Sequence, residues 1–124
     1  MGFSKKLFGK DSNKLSELER YEEALESCER AIELQPDYAL AWKNKGVALF
    51  KLGRYEEALE SFERAIELQP DYALAWMNKG VALNELGRYE EALEAYDRII
   101  ELQPDLGTVW YNKGLCSIGK HNSL

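Results

Sequence analysis

The chain has one histidine, two cysteines and three prolines in 124 residues, and nowhere does it string together the roughly 18 apolar residues that a membrane helix needs. Each scarcity excludes something. The lone His121 leaves no partner for a nucleophile–base pair or a His/Cys metal set, and Cys28 and Cys116 stand apart without motif spacing. A glycine-rich phosphate loop and a nucleophile elbow are missing too, so the chain is not expected to be an enzyme or to hold a metal or cofactor. The only early apolar pair is Leu7-Phe8, which rules out a secretory signal, and Gly2 is followed at position 6 by Lys6 where N-myristoylation wants Ser or Thr. These absences point to a cytoplasmic protein with no stable membrane insertion. The net charge is −6, with +3 in residues 1–14 and +2 in residues 107–124, leaving −11 between them. Such an acidic middle repels phosphate backbones and argues against nucleic acid as a partner.

The three prolines are regularly placed. Pro36, Pro70 and Pro104 recur at intervals of 34, and residues 21–54 return as residues 55–88 with differences only at 28/62, 43/77, 50/84 and 51/85. A third copy opens at Tyr89. Self-similarity at a fixed period means a stack of like supersecondary units. Inside each unit Trp42, Gly46 and Leu49 step at helical spacing, and so do Tyr55, Ala58, Leu59, Phe62, Ala65 and Ile66, which makes two amphipathic helices per unit. Leu52-Gly53-Arg54 places Gly where a helix end needs a left-handed residue, while Gln69-Pro70-Asp71 stops the second helix and offers Asp71 as the next N-cap. Glu60 and Arg64 form an i, i+4 pair, and Gly46 facing Ala58 predicts close approach of the hairpin backbones with Trp42 and Phe62 beside the contact. Cys28 falls in the slot of Phe62 and Tyr96 and reads as a buried small hydrophobe.

The series Trp42, Gly46, Leu49, Ala58, Phe62, Ala65 and Pro70 resembles the tetratricopeptide repeat (TPR), also 34 residues long, and recurs at Trp76, Gly80, Leu83, Ala92, Tyr96, Ile99 and Pro104. Weaker matches at Ala24, Cys28, Ala31, Pro36, Trp110 and Gly114 extend it over roughly residues 21–118. The family usually has Leu before the Gly, where this chain has Lys45, Lys79 and Lys113. The resemblance implies an all-α fold, a right-handed superhelical solenoid of antiparallel helix pairs. The expected layout is a basic, unstructured leader over 1–10, an array over 11–118 and a tail over 119–124. Within the array the helices are a short capping helix over 11–20, then 21–34, 37–52, 55–68, 71–86, 89–102 and 105–118. The leader could instead dip Phe3, Leu7 and Phe8 into an anionic membrane surface.

By the same resemblance, the first helix of each pair lines a concave, ligand-binding wall. The implied positions are Leu40, Lys43, Asn44, Val47, Phe50 and Lys51, then Leu74, Met77, Asn78, Val81, Asn84 and Glu85, then Thr108, Tyr111, Asn112 and Leu115. Three of the four differences between the near-copies fall there, which fits either a selected ligand or neutral drift. Asn44, Asn78 and Asn112 recur along one line, each with a donor and an acceptor for a peptide backbone. Some TPR domains grip chaperone C-terminal carboxylates. Of the five residues that do so, Lys43 and Asn78 match, whereas Val47, Thr108 and Asn112 do not, so little or no chaperone-tail binding is implied. The expected function is a non-catalytic scaffold for an extended or helical peptide of unknown identity. The alternative is a self-assembling homo-oligomer joined through the last helix, whose partly bare Trp110, Leu115 and Ile118 suggest either self-association or a fragment of a longer array.

Overall fold

A computed structural model describes residues 12–122 of the chain, so the expectation for the leader lies outside the described residues. The elements are α1 (Ser12–Leu34), α2 (Ala39–Lys51), α3 (Tyr55–Leu68), α4 (Ala73–Glu85), α5 (Tyr89–Leu102) and α6 (Gly107–Asn122). The described residues contain no strand. Each helix packs on the next, and α2 also touches α4 and α4 touches α6. The result is an all-α repeat solenoid in which α2, α4 and α6 share one wall.

The chain turns from α2 to α3, and from α4 to α5, through a glycine in left-handed conformation. Gly53 has φ +79° and Gly87 φ +76°. The Arg54 N–H bonds Leu49 O at 2.9 Å and the Gly53 N–H bonds Phe50 O at 2.9 Å, the paired bonds of a Schellman motif, repeated by Arg88 and Gly87. Arg54 then clamps the start of α3 with a two-pronged bond to Glu57 at 2.6 and 2.8 Å, and Arg88 does the same to Glu91. That hydrogen bond holds the Glu57 and Glu91 carboxyls below the ordinary carboxylate value.

Where that glycine is missing, the turn is missing. Glu19 and His121 stand one period before Gly53 and one period after Gly87. A separate capping helix over 11–20 is therefore not found: α1 runs unbroken from Ser12 to Leu34, because a residue with a Cβ resists the left-handed conformation and the helix continues. For the same reason residues 119–122 are not tail but the last turn of α6.

The other turn also corrects an expectation. Asp37 and Asp71 are not N-caps. Pro36 and Asp37 are the middle of a turn closed by the Tyr38 N–H on Gln35 O at 3.1 Å, so Tyr38, and likewise Tyr72, caps the following helix with its carbonyl. The helices thus begin at Ala39, Ala73 and Gly107, two residues later than the sequence suggested. Arg64 pairs with Glu67 at 3.2 Å in place of Glu60.

The core follows the hairpins. Phe62 and Tyr96 are each 1% exposed, and it is these rings that Gly46 and Gly80 face: a Cβ on either glycine would overlap the ring. Gly46 therefore meets Phe62, with Ala58 buried beside it, because the Cδ1–Cε1–Cζ edge of the ring fills the gap that the absent side chain leaves. Cys28 is only half-buried, since no helix among the described residues precedes α1 and folds over it.

Outside this core runs a repeated triplet. Trp42 donates its indole N–H to Pro36 O at 2.9 Å, Lys45 lies 5.3 Å over the indole centroid, and the same ammonium meets Glu29 of α1 at 3.7 Å. The pattern returns as Trp76, Pro70, Lys79 and Glu63, then as Trp110, Pro104, Lys113 and Asp97. The lysines that interrupt the apolar pattern thus tie each first helix to the second helix before it.

Candidate interaction groove

The wall of α2, α4 and α6 carries all sixteen sequence-derived positions, because the 34-residue period returns each to the same face. Five of them converge. Val47, Phe50 and Lys51 of α2 meet Asn78 and Val81 of α4 around a cavity of about 210 Å³. Its remaining lining residue is Phe62, read from the sequence as core alone. Phe62 does both: its ring edge closes on Gly46 and also lines the cavity. The Phe50 ring is held 4.9 Å from Tyr55 at an interplanar angle of 56°, an aromatic pair that fixes one side of the opening.

Leu40 and Asn44 lie apart from this group, in a shallower hollow of about 170 Å³ shared with Cys28, Ala31 and Tyr38. Burial raises the Cys28 thiol above its ordinary value, helped by the Glu29 carboxylate. Met77 and Asn112 join across α4 and α6 through an Asn112 Nδ2 bond to Met77 Sδ at 3.2 Å. Lys43, Leu74, Asn84, Glu85, Thr108, Tyr111 and Leu115 lie outside both hollows. Leu74 is 59% and Tyr111 67% exposed, so the wall presents apolar surface well beyond the cavity.

Asn84 stands where Phe50 stands one period earlier, and its Oδ1 is buried with no hydrogen-bond partner among the described residues. An unsatisfied buried acceptor costs about 1–3 kcal/mol.

A larger cleft of about 480 Å³ lies between α4 and α5, lined by Trp76, Lys79, Glu91, Glu94, Asp97, Arg98 and Glu101. Its charges are largely spent on each other and on neighbours, as in Arg98–Glu101 at 3.2 Å and Lys79–Glu63 at 3.4 Å. It is a solvated cleft with as much polar as apolar lining, and the smaller, mostly apolar cavity is the better receptor for an apolar side chain. No helix among the described residues is long and apolar enough to cross a membrane.

The tetratricopeptide repeat family model matches residues 13–73 and 50–106. No curated protein sequence gives a significant match. Among solved structures the chain is similar to the first TPR of Spaghetti (RPAP3) bound to the HSP90 peptide SRMEEVD, with TM-score 0.79 and 25% identity over 86% of this chain and 84% of that one. It is similar to the second TPR domain of human RPAP3 in complex with the HSP70 peptide SGPTIEEVD, with TM-score 0.77 and 28% identity over 85% and 88%. The crystal structure of MamA protein matches with TM-score 0.78 and 29% identity over 82% of this chain, which spans 55% of that structure's length.

Proposed function

Because the chain belongs to the tetratricopeptide repeat family, we propose that it is a non-catalytic protein-interaction scaffold that holds an extended or helical peptide along α2, α4 and α6. An apolar side chain of that peptide sits among Val47, Phe50, Phe62 and Val81. The observation that carries this reading is the cavity itself, apolar on most sides with the Asn78 amide and the Lys51 ammonium at its polar edge. The amide pairs with a peptide backbone, and the ammonium favours an acidic residue next to the anchor.

Both RPAP3 neighbours are bound to chaperone peptides. Val47, Thr108 and Asn112 supply none of the charge-assisted bonds that a terminal carboxylate needs, and Asn112 is already bonded to Met77. The preferred ligand is therefore an internal peptide segment with an apolar anchor. A peptide-library screen tests this, repeated on Asn78→Ala and Val81→Glu. Affinity is expected to fall about tenfold or more for Val81→Glu, since a carboxylate would be buried in the cavity. Unchanged binding in both variants overturns the groove assignment.

A further inference from the structure

Two helices present faces that are covered everywhere else in the chain. On α3 and α5 the residues turned towards the preceding helix are sealed: Ala58, Phe62 and Ala65, then Ala92, Tyr96 and Ile99, are all at most 1% exposed. The same positions of α1 are Ala24, Cys28 and Ala31, of which Ala24 is exposed and the others are only half-buried. Leu34 is 75% exposed although its counterparts Leu68 and Leu102 are half-buried. Among the described residues α1 is thus a second helix of the repeat without the first helix that packs on it, because it runs straight through Glu19.

α6 shows the opposite state. Gly46 and Gly80 are closed by aromatic rings, whereas a Cβ on Gly114 would meet nothing within 4 Å. Trp110 is 51% and Ile118 58% exposed, while Trp42 and Trp76 are half-buried. Among the described residues α6 is a first helix without its second. Lys113 and Lys120 of α6 are taken up by Asp97 and Glu90 of α5, so what α6 leaves open beside Gly114 is an apolar face, as Ala24, Cys28 and Ala31 are on α1.

We propose that the occupant of each face is a second copy of this chain, with α6 of one copy laid against α1 of the next to complete one hairpin across the joint. Gly114 then faces the partner copy's Cys28 as Gly80 faces Tyr96 within the chain. The contact joins unlike surfaces, so it does not close on itself as a two-fold dimer would and adds copies head to tail. A thiol fills less of the gap than a phenol or phenyl ring, so the joint is looser than the internal ones and reversible with concentration. It shares no residue with the cavity around Val47 and Val81, so either assignment stands or falls without the other.

The test uses the full chain with Gly114→Cys, oxidised with diamide over a range of concentrations. Expected is a ladder of dimer, trimer and longer species on a non-reducing gel that disappears when Cys28→Ser is added. Light scattering on the unsubstituted chain is expected to show a mass that rises with concentration and falls back towards monomer on dilution. Three results overturn the proposal. One is a monomer at every concentration, which covering of α1 by residues 1–11 of the same chain would give. Another is a mass that stops at dimer. The last is a ladder that survives Cys28→Ser.

Discussion

Gly80 and Gly114 occupy the same position of the repeat, and their surroundings give opposite expectations for one substitution. A methyl at Gly80 runs into the Tyr96 ring, which is buried and cannot swing away. Gly80→Ala is therefore expected to lower stability by about 1–3 kcal/mol in denaturant unfolding. Gly114→Ala adds a methyl in open space on a helix, where Ala is favoured over Gly by about 1 kcal/mol, so in dilute solution it is expected to be neutral or mildly stabilising. Equal effects at the two sites would contradict the packing described. Tyr96 itself gives a pH dependence. Burial raises its phenol well above the ordinary tyrosine value, so the folded state keeps the proton that the unfolded chain releases from about pH 10 upward. Stability is full below that pH and declines above it, and Tyr96→Phe is expected to flatten the decline in thermal melts at alkaline pH. Phe already serves at the matching position 62.

Among the elements, the difference between a hinge and a straight helix rests on one residue per period. Gly87→Ala forces a Cβ into the left-handed region at φ +76° and is expected to cost about 1–2 kcal/mol. Glu19→Gly supplies the residue that α1 lacks. It is expected to break α1 near Arg20, read out as faster amide hydrogen exchange around residues 16–21. Slow exchange there after the substitution would show that something other than the missing glycine keeps α1 straight. The sequence was legible where a single residue type forces a conformation: the Leu-Gly-Arg turns read directly, and so did the amphipathic faces of α3 and α5. It misled where two local preferences compete. Asp after Pro suits both an N-cap and the middle of a turn, and the bond from Tyr38 N–H to Gln35 O decides for the turn. Periodicity marked Phe62 as core but could not show its ring edge lining the cavity, because that depends on how far α4 stands from α2. Likewise the Lys at 45, 79 and 113 looked like a departure from the family pattern. Their reason lies in the helix before, at Glu29, Glu63 and Asp97, a contact across the proline turn that helical periodicity does not reveal.

Taken whole, the chain is a row of units that touch mainly their neighbours, so local stability follows the number of flanks each helix has. α3 and α4 are packed on both sides, whereas α6 leans on α5 and α4 alone. Amides of α6 are expected to exchange faster than those of α3 and α4, and uniform protection along the row would argue for a single cooperative unit. The acidic middle of the chain adds repulsion that the Arg–Glu and Lys–acid pairs offset only in part, since exposed pairs contribute about 0–1 kcal/mol each.

The three indoles are the only tryptophans, one per repeat at the same station, each donating to a proline carbonyl with a lysine above its ring. They differ mainly in how much water reaches them. Intrinsic fluorescence is consequently a position-coded signal: Trp110, in the wettest setting, emits reddest, and loosening of the last helix shifts the spectrum little. Loss of the blue component reports instead that the interior pair of repeats has come apart.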